Sequence, residues 1–499
     1  MNVIGRRPAW IKVRAVFAVA AVVAAAGILA PVSAAPGEQP GYRRLVELES
    51  ARSFSDELTA ALASNDARLA GRAALALGRT RDPRAAGPLK NATATRSVPV
   101  RALAVYGYGL LAGIAPLESK LIAAMLRDPA GAVRVAAADA AWRARVAKSP
   151  DSASLAGSLL TLLDRDSEPI VRSRSATSLS GWSDAPDAAV VAGRIERAFG
   201  READPAVRRH EAWTLRRGFA LRTAPATIRA GLADRDEVVR VQFADLLARR
   251  KQLSALPQLQ TLLRDPSWRV REQAHESIKV LAGLQRTDHL GAIPTEIATP
   301  APEPENTEKP LDRNRTVTQG RPVPQDARLD LPLLPETAAL MDGPMPGPHP
   351  RVRIGTTKGA IVVRLYPEWA PLTVANFLDL VDRGYYDKLR WFRIVPDFVA
   401  QTGDPNDNGE GDAGYNIPAE ESPLEQRAGV ISMGLNYTDP PDAHAIRDSA
   451  GTQFYLTMSP QLHLNRDFTV FGEVESGFST LGRLIESDRM TRVERLADR

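Results

Sequence analysis

The sequence predicts a multidomain chain: an α-solenoid of helix pairs, then a closed antiparallel β-barrel with capping helices. Three observations predict it. An aliphatic–Arg pair followed by an Ala- or Leu-rich run recurs at spacings of 31, 33, 38, 36, 32 and 31 residues, a period that marks stacked helical units. A stretch holding 13 of the 38 prolines within 60 residues then interrupts the pattern. Beyond it, apolar and polar residues alternate as in strands, and glycines divide them into short segments. A length of 499 residues suits about three units.

The first segment is read as a secretory signal over 1–34. Arg6, Arg7, Lys12 and Arg14 are followed by an uncharged run from Ala15 to Ala30, then by the small residues Val32, Ser33, Ala34 and Ala35. This is the order of a basic n-region, an apolar h-region and a cleavage site. The cut is expected after Ala34, which places the mature chain outside the cytoplasm, periplasmic or otherwise extracytoplasmic. Left uncut, the apolar run would tether it; at sixteen residues the run is short for a span of about 20 residues. No membrane span is expected in the mature chain. The Arg6-Arg7 pair hints at a twin-arginine signal, but Pro8 and Trp10-Ile11-Lys12 fit that pattern poorly.

The array is read over 44–286. Its second helices begin at Leu69, Val100, Val133, Val171, Val207, Val239 and Val270. In four copies an Asp stands five residues before the Val: Asp128, Asp166, Asp234 and Asp265. The unit is therefore helix, tight turn with Asp, helix, and the Asp is expected to cap the second helix. These copies in register resemble the HEAT-repeat family, which implies a long surface for an unidentified protein partner. The recurring Arg could be drawn as an anion-binding ladder. Arg–Asp pairing between neighbouring units, fixing their stacking, is the preferred reading. Residues 287–349 follow as a proline-rich linker, expected to be extended and to leave two separate folded units.

The third unit, 350–490, opens on a hairpin. Val352 and Ile354 alternate with polar residues, Lys358-Gly359 turns the chain, and Ile361, Val363 and Leu365 alternate again. Pro371 opens a helix with Val374, Phe377, Leu378 and Val381 on one face and Gly384 at its end. Residues 491–499 are read as a tail. The segments APLTVANFLDLVDRGYYD (370–387), RWFRIVPDFVAQTGDP (390–405), AGVISMG (428–434), GTQFYLTM (451–458) and FTVFGEV (468–474) resemble, in the family's order, the cyclophilin-type peptidyl-prolyl isomerases.

The resemblance implies a rotamase acting on X–Pro bonds of proline-containing polypeptides, with no cofactor and no metal. It implies a catalytic Arg393 and a substrate-holding Gln401. It implies a pocket from Phe398, Val399, Gln453, Tyr455 and Leu464, and backbone contacts to an extended peptide from Gly434, Leu435 and Asn436. His463 stands where many members have a tryptophan, and Phe468 where many have a histidine; both are expected at the pocket wall. Asp397 and Thr402 each replace a usual glycine. The loop NYTDPPDAHAIRDSAG (436–451) is longer than in compact members and lies beside the expected groove.

Composition excludes other classes. Lys plus Arg number 64 against 59 Asp plus Glu, a net charge of +5, too small an excess for a dedicated nucleic-acid binder. The chain has no cysteine, which excludes disulfides, thiolate zinc sites, iron–sulfur clusters and cysteine nucleophiles. Residues 409–414 match G-x-G-x-x-G, but no strand leads into them and no helix opens after them. Asp404, Asn406 and Asn408 start like a calcium loop, but the twelfth position is Tyr415 and the bidentate Glu is missing. Two functional readings remain: an exported isomerase whose array docks clients, and a non-catalytic scaffold whose barrel binds proline-containing peptides.

Overall fold

The computed structural model describes residues 40–283 and 349–497, apart from 410, 412–413 and 438–444. The expected signal segment and nearly all of the linker lie outside the described residues.

The array begins with α1 (Pro40–Ser50), α2 (Asp56–Leu62) and α3 (Ala67–Thr80). It continues with α4 (Ala86–Ala92), α5 (Val98–Leu110), α6 (Ser119–Met125) and α7 (Gly131–Val146). Then come α8 (Ala156–Arg165), α9 (Pro169–Ser178), α10 (Ala188–Phe199) and α11 (Pro205–Gly218). It ends with α12 (Pro225–Leu232), α13 (Glu237–Arg249), α14 (Leu256–Leu262) and α15 (Trp268–Ala282). The odd-numbered helices from α3 to α15 are the seven expected second helices, and each packs on the next. The α3–α5 contact is tight enough that a Cβ on Gly78 would lie 2.5 Å from the Gly107 Cα. Glycine there lets two backbones touch.

The Arg–Asp ladder is structural, as preferred. Arg101 pairs with Asp128 at 2.8 Å, Arg134 with Asp166 at 2.7 Å and Arg240 with Asp265 at 2.8 Å. Arg208 pairs with Asp234, and Arg172 pairs at 2.8 Å with Glu202, which takes the Asp place in that repeat. Each of Arg101, Arg134, Arg172 and Arg240 also donates to a carbonyl six residues before it, in the turn that precedes its own helix. One guanidinium thus fastens two successive turns. The Asp does not cap the helix as expected. Its Oδ1 accepts from the amide two residues on, at Ala130, Glu168, Asp236 and Ser267. Where a carboxylate caps one of these second helices, it accepts from the amides two and three residues on, at Asp66, Asp204 and Asp236.

The C-terminal unit is one eight-stranded antiparallel sheet, ordered β3-β4-β6-β5-β7-β2-β1-β8. Its strands are β1 (Arg351–Thr356), β2 (Gly359–Leu365), β3 (Arg393–Val395), β4 (Val399–Thr402), β5 (Val430–Met433), β6 (Phe454–Thr457), β7 (Val470–Ser476) and β8 (Met490–Leu496). Helix α16 (Pro371–Asp382) and the single turn α17 (Phe478–Leu481) pack on it. The sheet is curled but open, which corrects the expected closed barrel. Its edges β3 and β8 do not pair along their length among the described residues; the chain just ahead of β3 touches the start of β8, through the bridge Arg390–Arg489 and the backbone bonds of Lys388, Leu389 and Trp391 to Met490 and Asp488. The expected tail is also corrected: most of it is β8, paired with β1 along its length. Only Met490 and Val493 of that strand are buried, and a register shift at Gly355/Thr356 breaks the alternation that would have marked it.

The two units are packed together, against the expectation of separate domains. Tyr366, Trp369, Leu424, Val430 and Val470 of the sheet unit join the apolar core of the array. Around them lies a set of buried ions. Arg79, on α3, pairs with Glu49 of α1 at 2.7 Å and donates across the interface to the carbonyls of Trp369 at 2.8 Å and Glu421 at 2.7 Å. Arg174 meets Glu425 at 3.0 Å, Arg143 meets Glu421 at 3.4 Å, Arg52 meets Asp448 at 2.7 Å and Arg466 meets Asp139. Burial opposes ionisation of Glu425, yet Arg174 and His210 hold its carboxyl down at about 2.

Removing one partner of a buried pair strands the other charge, at a cost of about 3–5 kcal/mol. Arg79→Ala is expected to destabilise the full chain by about that amount, since Glu49 and two carbonyls lose their donor. Denaturant unfolding of the variant against wild type measures it; an unchanged midpoint would show that the interface does not depend on Arg79.

Candidate active site

The site is built on the short hairpin β3–β4. Arg393 opens β3 and stands opposite Gln401 in the ladder. Period-two alternation carries both side chains to the same face. Arg393 Nη1 donates to Gln401 Oε1 at 3.4 Å. Gln401 Nε2 donates to Gln453 Oε1 at 3.1 Å, and Gln453 Nε2 is fixed by the carbonyls of Gly409 and Gly411 at 3.0 and 3.1 Å. The chain Arg393–Gln401–Gln453 thus runs to the Gly-rich loop. That loop is shaped by the Asp404 carboxylate, which accepts from the amides of Asn406, Asn408 and Gly409. The residues that start like a calcium loop therefore order backbone that orients Gln453.

An apolar cluster lies beside this polar chain, apart from the main core of the sheet. Val399, Tyr455 and Leu464 are buried in it, with Phe398 and Phe468 partly buried against them. The register explains the grouping: Val399 and Gln401 on β4 face Thr457 and Tyr455 on β6. Tyr455 and Phe468 meet edge-on with centroids 5.8 Å apart. The Arg393 guanidinium lies 5.4 Å from the Phe398 ring centre, and His463 stacks on Phe398 with ring centres 5.5 Å apart at an interplanar angle of 20°. Arg393, Gln401, Phe398, Val399, Gln453, Tyr455, His463, Leu464 and Phe468 are thus brought together as expected from the sequence.

The 434–436 segment is divided. The Gly434 amide donates to the Gln453 carbonyl at 2.8 Å, and a Cβ on Gly434 would crowd Gln401 Nε2 at 3.3 Å. Leu435 packs toward the main sheet core. Asn436 is committed to its own loop: its amide donates to Ser449 Oγ at 2.9 Å and its carbonyl accepts from Ile446 at 2.7 Å. Of the three, Asn436 fits least well the expected role of offering backbone to a peptide.

Several neighbours escaped the sequence reading. Tyr437, in the long loop, is 55% exposed and close enough to Arg393 to feel its charge; partial burial nonetheless raises its phenol above the usual value. The array supplies others. Partial loss of water, and then the charges of Arg216, Arg217 and Arg249, push the His463 imidazole down to about 4. Arg269 of α15 pairs with Asp397 at 2.8 Å, at the turn of the hairpin itself. No local signal marks the array residues among them, because each depends on how a distant repeat docks.

Residues 351–497 match the family model described as cyclophilin type peptidyl-prolyl cis-trans isomerase/CLD, and residues 192–279 match HEAT repeats. The chain is similar to peptidyl-prolyl cis-trans isomerase B of Bacillus subtilis, 42% identical over 135 residues, which cover 27% of this chain and 88% of the relative. It is similar to a peptidyl-prolyl cis-trans isomerase of Synechococcus elongatus, 37% identical over 145 residues, covering 29% of this chain and 94% of the relative. It is also 37% identical over 139 residues to one of Helicobacter pylori, covering 27% and 80%. Through its C-terminal unit, the chain belongs to the cyclophilin-type peptidyl-prolyl cis-trans isomerase family.

Proposed function

We propose that the chain is an exported peptidyl-prolyl isomerase in which Arg393 stabilises the twisted X–Pro bond, Gln401 holds the substrate backbone, and the helical array carries the isomerase unit and docks its clients. The observation that carries the catalytic part is the Arg393–Gln401–Gln453 chain running along the rim of a separate apolar cluster.

Amide resonance sets a barrier of about 18–20 kcal/mol to rotation about the X–Pro bond. Rotation breaks no covalent bond and needs neither a nucleophile nor a proton transfer. Twisting removes the resonance and localises a lone pair on the prolyl nitrogen. A guanidinium fixed beside the ring pocket donates to that lone pair only in the twisted state, which is differential stabilisation of the transition state. The cluster of Val399, Tyr455, Leu464, Phe398 and Phe468 suits the prolyl ring, whose CH₂ groups need a dry wall. Cross-strand pairing with Gln401 restrains the guanidinium, so less freedom is lost when it binds.

Export is supported by the basic start and the apolar run ahead of Ala34. Client docking is supported by the match to HEAT repeats. The packed isomerase unit already covers part of the row of second helices, through Arg79, Arg174 and Arg269. Docking by the array therefore uses the faces that this unit leaves free.

Arg393→Ala is expected to lower kcat/KM on a short proline peptide at least tenfold, about 1.4 kcal/mol of transition-state stabilisation, with unchanged circular dichroism. Lys at 393 should rescue poorly, because an ammonium lacks the planar fork that Gln401 and the pocket hold in place. A folded Arg393→Ala chain with wild-type rate would remove the catalytic assignment of Arg393.

The exported protein is expected to begin near Ala35. Mass spectrometry of the protein recovered from the cell envelope tests this, and an intact Met1 start would overturn the cleavage reading.

A further inference from the structure

We propose that Arg269, in the last repeat of the array, is a positioning residue for the isomerase: by holding Asp397 it sets the hairpin turn that carries Arg393 on one side and Phe398 on the other. The proposal rests on the reading that this hairpin performs the isomerisation.

The turn joining β3 to β4 is closed by the Phe398 amide donating to the Val395 carbonyl at 3.0 Å. Asp397 occupies its tip with φ +58°, in the left-handed region that glycine enters freely and a residue with a Cβ enters at a cost. Where many family members have glycine, this chain therefore needs something to hold the conformation. Two sets of contacts do so. From within the isomerase unit, Ser459 Oγ and Gln461 Nε2 donate to the Asp397 carbonyl, the latter at 2.9 Å. From the array, Arg269 Nε stands 2.8 Å from Asp397 Oδ1.

Arg269 is itself fixed. Its side chain is only 3% exposed, its Nη1 donates to Glu237 Oε1 of α13 at 2.9 Å, and its guanidinium lies 5.7 Å from the Trp268 ring centre. A guanidinium so enclosed does not swing out to water when its partner moves. Without Arg269, the Asp397 carboxylate would stand half-buried beside Glu237 with no cation, and its escape toward water would turn the hairpin tip. The next residue is Phe398, the ring that lies under Arg393 and stacks on His463. A shift of about 1 Å in such a constellation is enough to change a rate by about two orders of magnitude in unfavourable cases. The link makes the array part of the apparatus that aims the guanidinium, although no array residue need touch the substrate.

The test measures kcat and KM of the full chain on a proline-containing tetrapeptide, introducing Arg269→Met into two backgrounds, wild type and Asp397→Gly. Arg269→Met is expected to lower kcat/KM about tenfold in wild type and by less than about twofold once glycine occupies 397. An equal loss in both backgrounds would make Arg269 a structural residue only, and no loss in either would remove it from the site. A second measurement serves if Arg269→Met does not fold. Burial raises the Asp397 carboxyl to about 6 against the opposing pull of Arg269. The groups facing it are Arg269 and Glu237 from the array and Ser459 from the isomerase unit. As pH falls through about 6, Asp397 takes a proton and the ion pair is lost, so kcat/KM of wild type should fall there while Asp397→Gly lacks that limb. Superimposable profiles would overturn the proposal. Arg393→Ala, assayed alongside, reports separately on whether the hairpin carries the chemistry at all.

Discussion

Arg79 is the point through which the two units depend on each other. It has no exposed surface, and a guanidinium cannot shed its proton to escape burial. Its donors must therefore find acceptors. They find one carboxylate on its own array, at Glu49, and two carbonyls on the other unit, at Trp369 and Glu421. Glu49 in turn is held ionised against burial by Arg72 and Arg79. Removing the isomerase unit would leave these ions to be rehydrated and would expose Tyr366, Trp369, Leu424, Val430 and Val470. Ions gain little over a well-packed apolar contact in stability alone; what they add here is registration. Arg79, Arg143, Arg174 and Arg269 each reach their acceptor on the isomerase unit only in one relative placement of the two units.

That placement changes how the proline-rich stretch between the units is to be read. Two bodies joined only through the chain between them meet at an effective concentration of about millimolar or less. A shared apolar core and several buried ion pairs instead hold the units in one placement. The connection sets which copy of the isomerase unit an array meets, and the interface sets where it sits. The array is then a mount with a defined address.

The local parts of this protein are legible in its sequence and the long-range parts are not. Repeat spacing locates all seven second helices because each copy must bury the same face. The Arg–Asp ladder is legible because the Arg and the Asp each recur at a fixed place relative to the repeat Val. The site is legible as a set of motifs, and Phe398, Val399, Tyr455, Leu464 and Phe468 do gather. The last strand is not, because Arg492, Glu494 and Arg495 give it a solvent-like composition and a bulge spoils its period. The interface is not legible either. Arg72, Arg79 and Arg174 read as charges on a solvated helix face, and the acidic run 420–425 reads as a loop. A charge buried against a distant opposite charge has no signature at the level of periodicity.

The same docking bears on the electrostatics of the pocket. His463 stacks on Phe398, whose other neighbour is the Arg393 guanidinium. A protonated imidazole there would place a second positive charge against the first and would bring water beside the apolar cluster of Val399, Tyr455 and Leu464. Partial burial first, and then the positive charges of Arg216, Arg217 and Arg249 on the array, push the His463 imidazole down to about 4 and keep it neutral at pH 7. Arg216 and Arg249 share Asp245, which leaves a net positive charge among the three. An aromatic ring that stays uncharged can form the apolar wall that the position requires, which is how a histidine is accommodated where many family members use tryptophan. The array thus acts on the pocket in two ways from one docked position, holding the turn that carries Phe398 and keeping its stacking partner neutral.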